Sequence, residues 1–323
     1  MNISSKKHRC LSAGILFADV GCAPINHCPV PGELVQTDRV ELSLGGCASN
    51  VALNLAKLDV PVGLCGCVGD DALSDFVIHA LEHPLIDTEG IRRIPNSGPG
   101  CSLIVNVQGQ DRRFVSTTGA NAEFKVADIS KTWADEAEVF YIGGYLMMPH
   151  LEEAETISFL QKFQAHGGKT ILDVVIYGNR PYWNVIRPLL PFVDYFMPNN
   201  DEGRLISGFE NPIDQAKFFL DAGVRTVIIT CGEAGSIYYS AKQKFQTNVF
   251  SVEFIGGTGS GDAFAAGFIS ALLDQADPIE LMNRASAQGM SCVRDSSATK
   301  SVFTRKEAED FVKKNQLLIT EIG

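Results

Sequence analysis

The sequence predicts an α/β fold of three layers, a mostly parallel central sheet flanked by helices, with a small β-sheet lid. Two observations carry this. From residue 126 onward, short runs of β-branched and other apolar residues alternate with amphipathic helical stretches, the pattern of a parallel sheet covered on both faces. Before that, stretches at about 22–44 and 101–118 alternate with a period of two, which marks half-exposed antiparallel strands set apart from the main sheet. No internal repeat, low-complexity segment or linker interrupts the 323 residues. Residues 1–323 therefore read as one domain, with the two excursions forming the lid.

Taken in order, Cys10 to Asp19 reads as a first buried strand ending on a carboxylate, and ligands of open α/β sheets collect at such carboxyl ends. The segment after Cys22 is rich in proline and then alternates from Leu34 to Leu44. Gly45-Gly46 opens a helix over Val51 to Leu58, and Pro61 to Val68 is strand-like. Asp70-Asp71 favours the start of a helix running to about Glu82, through capping and the helix dipole. Ser102 to Val107 and Arg112 to Ser116 form a hairpin candidate around the turn Gln108-Gly109-Gln110-Asp111. The alternating half follows: helix 128–136, strand 139–142, helix 151–166, strand 170–176 and strand 193–197. Helix 213–222 and strand 226–230 come next, and Tyr238 to Val252 supplies extra strands before three closing helices.

Composition narrows the function. Hydrophobic residues make up 45% of the chain and charged residues 20%, as in a soluble globular protein. No apolar run reaches the roughly 20 residues of a membrane helix, and the basic Met1 to Arg9 lacks a small-residue cleavage site after it. A net charge of −11 argues against a general nucleic-acid binder, whose affinity depends on clustered Lys and Arg. The nine cysteines are odd in number and scattered without a C-x-x-C, which reads as free thiols in a reducing cytoplasm.

The chemistry concentrates at Gly256-Gly257-Thr258-Gly259-Ser260-Gly261-Asp262, followed by an uncharged helical segment from Ala263. Glycines let backbone N–H groups approach a ligand, and a helix start adds unpaired donors and the positive end of its dipole. Asp262 on that rim would repel a phosphate unless it has a task. The task we expect is to take the proton of a hydroxyl that attacks the phosphate. No P-loop, no G-x-G-x-x-G after the first strand, no G-x-S-x-G and no H-E-x-x-H occurs. Phosphoryl transfer fits, because it needs positioning, charge stabilisation and one proton acceptor. The amides of Gly259, Ser260 and Gly261 are the expected anion hole. Asn199 and Glu202, three apart at a strand-to-helix junction, suit a hydrated Mg²⁺, with Glu202 acting through water. They equally suit a helix cap with a first-turn acid.

Gly45-Gly46-Cys47-Ala48-Ser49-Asn50-Val51-Ala52 with Gly66-Cys67-Val68-Gly69-Asp70-Asp71, and then Thr258 to Phe268, resemble the two signatures of the ribokinase-like (PfkB) carbohydrate kinases. The resemblance covers nearly the whole chain. It implies an α/β core with a β-sheet lid, ATP and Mg²⁺ as cofactors, Asp262 as general base and residues 259–261 as the anion hole. It further implies sugar contacts at Asp19, Gly45, Gly46 and Asn50, and a nucleotide pocket at Thr230, Gly232, Gly235 and Asn199. Glu202 matches the metal-organising Asn-x-x-Glu motif of the family, and Gly119-Ala120-Asn121-Ala122 is similar to a ribokinase stretch. Gly256 and Gly257 stand where the family usually has Asp-Thr; that Asp helps hold a monovalent cation, so the need for K⁺ stays open. Phe17 and Cys47 stand where ribokinases usually carry Asn and Lys. The acceptor therefore stays open among ribose, fructose, related sugars and an adenosine-like nucleoside. A sugar-binding regulator with weakened catalysis is the second reading. Exposed lid edges suit a homodimer formed through the lid.

Overall fold

The computed structural model describes residues 8–322 apart from 111–112, 152–153 and 179. Most of the basic N-terminal stretch (Met1–Lys7) and the expected turn and strand-start residues Asp111 and Arg112 lie outside the described residues. The first half contains β1 (Cys10–Gly14), β2 (Phe17–Cys22), β3 (Val40–Gly45), α1 (Cys47–Lys57), β4 (Val62–Val68) and α2 (Ala72–Ala80). These lead into β5 (Ile86–Arg93), β6 (Gly100–Val105) and β7 (Arg113–Thr117). The alternating half runs α3 (Lys131–Glu136), β8 (Val139–Gly143), α4 (Ala154–Ala165), β9 (Lys169–Leu172), α5 (Tyr182–Ile186), β10 (Tyr195–Phe196) and α6 (Asn200–Ser207). It continues through α7 (Pro212–Asp221), β11 (Thr226–Thr230), β12 (Ser236–Ser240) and β13 (Lys244–Thr247). The chain closes with α8 (Ser260–Leu273), α9 (Pro278–Cys292), α10 (Arg305–Val312) and β14 (Ile319–Glu321).

Among the described residues the main sheet has ten strands in the order β14-β13-β12-β11-β10-β9-β8-β1-β4-β5. From β11 to β5 every pairing is parallel, and β12, β13 and β14 add antiparallel strands at one edge. Side chains along each central strand divide between two cores. Leu11 and Ala13, Phe140 and Ile142, and Val227 and Ile229 fall in one; Cys10, Val139, Tyr141 and Ile228 fall in the other. Both faces are thus apolar, which is why these strands read as continuous hydrophobic runs. Burying one such aliphatic side chain contributes about 1.5–3 kcal/mol, so the two-sided sheet is the main source of stability.

The lid is a separate sheet of four strands, β3-β2-β6-β7. Its hairpin β6–β7 is antiparallel as the sequence indicates, with Leu103 opposite Val115. The expected strand from Cys10 to Asp19 is corrected: β1 stays in the main sheet only to Gly14, and Phe17 begins the lid strand β2. Gly14 marks the break. It has φ of 149° and approaches Gly143 so closely that a Cβ there would lie 2.1 Å from the Gly143 carbonyl oxygen, so only glycine fits. Asp19 consequently sits in the middle of a lid strand, not at the carboxyl end of a core strand.

Smaller differences have similar causes. The alternation from Leu34 forms a strand only over Val40–Gly45. Strand 170–176 stops at Leu172, leaving Asp173 at its carboxyl end. Strands β5 and β14 have no counterpart in the sequence reading, and their exposed or polar residues mask any periodicity. Asp71 caps α2 as expected, accepting the Ser74 amide at 2.8 Å. All nine cysteines are free thiols. No helix among the described residues is long and apolar enough to cross a membrane.

Candidate active site

Two helix N-termini converge where the core strands end. Helix α8 starts after Gly259 and α1 after Gly46, and the two helices pack side by side. Their starts bring Asp262, in the first turn of α8, against Cys47 and Asn50 of α1. Asn50 Nδ2 donates to Asp262 Oδ2 at 2.8 Å, and the Cys47 thiol donates to the same carboxylate. Asp173, at the end of β9, joins them: one ligand atom from each of Cys47, Asp173 and Asp262 lies within 4.8 Å of the others. Sequence reading assigned no role to Asp173 or Cys47. The signal for Asp173 was a charged residue inside an apolar strand run; that for Cys47 was its place in the glycine-rich signature, where ribokinases usually carry Lys.

The electrostatics of this cluster follow from crowding. Burial raises the pKa of Asp262, while the Asn50 and Cys47 hydrogen bonds favour its charged form. Burial and the neighbouring Asp262 charge push Asp173 up to about 7, against the 2.6 Å hydrogen bond donated by the Tyr141 hydroxyl. Glu202 is raised by burial first and then by Asp173 and Asp262. These carboxylates repel one another, which is the setting a divalent cation relieves.

The expected sugar contacts meet beneath the lid. Asp19 is 9% exposed and Asn50 3%, and Oδ1 of each is buried without a hydrogen-bond partner. Burial pushes Asp19 up to about 6, opposed by the Ser102 hydroxyl and reinforced by the Asp262 charge. Gly45 is needed for space: a Cβ there would lie 2.0 Å from Asp19 Oδ2. Gly46, with φ of 90°, turns the chain into α1. Ser43, Asp19, Ser102 and Ser116 are successive cross-strand neighbours and form a polar row across all four lid strands. Ser116 donates to the Ser102 hydroxyl at 2.8 Å. Ser102 and Ser116 were not singled out in the sequence, because serines in an exposed strand carry no distinguishing pattern.

On the other side of Asp262 lies a cleft of about 820 Å³, lined by Asn199, Thr230, Gly232, Gly235, Ser260 and Gly261 among others. All four residues expected to hold the nucleotide therefore share one cleft with the start of α8. Asn199 and Glu202 also cap α6 reciprocally: each side chain accepts the other's backbone N–H at 2.9 Å. The three expected anion-hole amides are not equivalent. The Ser260 amide closes a turn to the Gly257 carbonyl at 3.3 Å. Gly259 does not line the cleft; with φ of 76° it packs its Cα against Ala298.

The family model for "pfkB family carbohydrate kinase" matches residues 7–305. The chain belongs to the pfkB family of carbohydrate kinases. Among curated relatives of this pfkB kinase, a ribokinase of Haemophilus influenzae is 27% identical, covering 87% of this chain and 91% of its own. Among solved structures, Arabidopsis thaliana ribokinase complexed with ribose and ATP matches with a TM-score of 0.83 at 22% identity, covering 95% and 99% of the two chains. An E. coli protein described as a ribokinase II, in complex with ATP and Mg²⁺, matches with a TM-score of 0.82 at 22% identity, covering 95% and 100%. The three-layer sheet and separate small sheet of this chain are the ribokinase-like fold.

Proposed function

We propose that this pfkB-family kinase transfers the γ-phosphoryl group of ATP to a hydroxymethyl group of a small polyhydroxylated sugar such as ribose, fructose or a relative. The observation that carries the reading is Asp262. It stands between the nucleotide-sized cleft and the orphaned polar atoms of Asp19 and Asn50. Asp19 Oδ1 and Asn50 Oδ1 accept two hydroxyl protons of the sugar and hold it under the lid. That replaces lost water contacts, since a buried acceptor left unpaired costs about 1–3 kcal/mol.

The hydroxymethyl oxygen then faces Asp262, which takes its proton as the bond to the γ-phosphorus forms. The bond from that phosphorus to the β-phosphate oxygen breaks, and ADP leaves. The amide of Gly261 and the positive end of α8 receive the charge on the transferred group. Thr230, Gly232, Gly235 and Asn199 line the remainder of the cleft and hold the nucleotide. Asp173 and Glu202, hard oxygen donors whose carboxyl pKa values are raised by burial first and then by neighbouring carboxylates, fit Mg²⁺, with Glu202 reaching it through water. When bound there, Mg²⁺ supplies positive charge that offsets the phosphates.

A coupled ADP-release screen over pentoses, ketohexoses, keto-acid sugars and nucleosides tests the reading, run with and without K⁺. A preferred pentose or ketohexose at enzyme-like rates is the expected result. Preference for a nucleoside would replace the acceptor class, and no release with any acceptor would favour a sugar-binding regulator. We further read the outer lid face as the surface a second copy covers. Val40, Leu42, Leu103 and Val115 are exposed there on one side of the sheet. Sedimentation as a monomer at micromolar concentration would count against that homodimer.

A further inference from the structure

The last turn of α1 carries Lys57, whose ammonium is held by main chain. Nζ donates to the carbonyl oxygens of Thr299 at 2.5 Å, Lys300 at 3.2 Å and Val302 at 3.4 Å. An ammonium has three donors, and here carbonyls take all of them. Burial lowers the Lys57 pKa, with Glu307 and Cys292 acting the other way.

The gripped segment is the back wall of the glycine turn that starts α8. A Cβ on Gly259 would lie 2.3 Å from Ala298 Cβ, so the two backbones touch, and Ala298 directly precedes the gripped Thr299. A Cβ on Gly256 would meet the Asp295 carbonyl oxygen and Ser296 Cα at 3.4 Å. Cys292 Sγ donates to the Thr258 and Ala298 carbonyls at 3.3 Å, and the Ile255 amide donates to Val293 O at 2.8 Å. Residues 292–298 thus back the turn at Ile255, Gly256, Thr258 and Gly259, and the gripped residues 299–302 follow directly. Lys57 is the side chain that ties that support to α1, the helix that also presents Cys47 and Asn50 to Asp262.

We propose that Lys57 is a positioning residue for phosphoryl transfer, its ammonium acting as a built-in monovalent cation that fixes residues 298–302 against Gly259. The direction of the amides at the start of α8 then depends on a charge carried by α1, whose carbonyl partners Thr299 and Lys300 lie 242 and 243 residues further along the chain. Cutting the side chain back to Cβ leaves carbonyl oxygens around a space of ammonium size. Rings of backbone carbonyls are the setting in which K⁺ replaces its hydration shell, and NH₄⁺ is of similar size. Lys57→Ala therefore creates a chain that a free cation can repair, whereas Lys57→Met fills the space without charge. The inference rests on the proposed transfer reaction for its kinetic arm only.

The test compares wild type, Lys57→Ala and Lys57→Met in choline chloride, with additions of ammonium, potassium or lithium chloride. Both variants should lose on the order of 10–100-fold in kcat, with the sugar KM unchanged, as expected for a small misplacement of catalytic groups. Ammonium or K⁺ should restore Lys57→Ala to within a few-fold of wild type and raise its Tm, and Li⁺ should do neither. Lys57→Met should respond to none of them. Wild-type kcat in Lys57→Met, equal rescue of both variants, or a Lys57→Ala chain that ammonium neither reactivates nor stabilises would each overturn the proposal. If wild type shows no sugar-dependent ADP release, the failure belongs to the assigned reaction, and the Tm comparison still decides the role of Lys57.

Discussion

Asn50 Nδ2 lies 2.8 Å from Asp262 Oδ2, while its Oδ1 is buried without a partner. One amide therefore grips the candidate base with one end and leaves the other free for the proposed sugar. Because the donated hydrogen bond lowers the Asp262 pKa, its loss must raise it. Asn50→Ala should move the acid limb of the kcat profile to higher pH, since the base then protonates earlier as pH falls. The sugar KM should rise as well. An unmoved acid limb would separate Asn50 from Asp262.

Asp262→Asn keeps the shape of the site and removes the proton acceptor. We expect kcat to fall about 10²–10⁴-fold, with sugar affinity by calorimetry within a few-fold of wild type. Near-normal turnover would remove the assigned role.

Asp19, the proposed sugar contact, is held at a cost to stability. Burial raises its folded-state pKa from 3.8 to about 6. The folded state therefore binds the proton more tightly than the unfolded chain. The resulting penalty is absent below the unfolded value, grows as pH rises, and is complete above about 6. Asp19→Asn should accordingly stabilise the protein at pH 7.5, by on the order of 1–3 kcal/mol, and the gain should shrink towards pH 4. The same variant should lose sugar binding. Thermal unfolding across that pH range measures the first effect and titration calorimetry the second.

Part of the candidate site could be read from local pattern. The Gly259–Asp262 turn and the Asn199–Glu202 pair sit at junctions between elements, whereas Thr230 and Gly232 entered only through the family resemblance. At such junctions glycines, caps and carboxylates stand out against apolar runs. Asp173 stood out only as a charge inside an apolar run, with no motif to give it a role, and Lys57 was hidden because a lysine in a last helical turn looks like ordinary dipole compensation. Its partners are three carbonyls, which have no sequence identity at all.

The sequence by itself determined the parallel sheet, the lid hairpin and the glycine turn with its carboxylate, because each follows from periodicity or from what glycine and a helix start allow. Only the tertiary structure decided where the first strand leaves the core at Gly14, which sends Asp19 into the lid. Only it decided that α1 and α8 begin side by side, so that Asn50 meets Asp262 across 212 residues of sequence. The physical reason is that a buried run of apolar residues fits either sheet equally well. The choice between them rests on which strands lie alongside, such as β8 at Gly14 and β6 at Phe17, and no local window contains those partners.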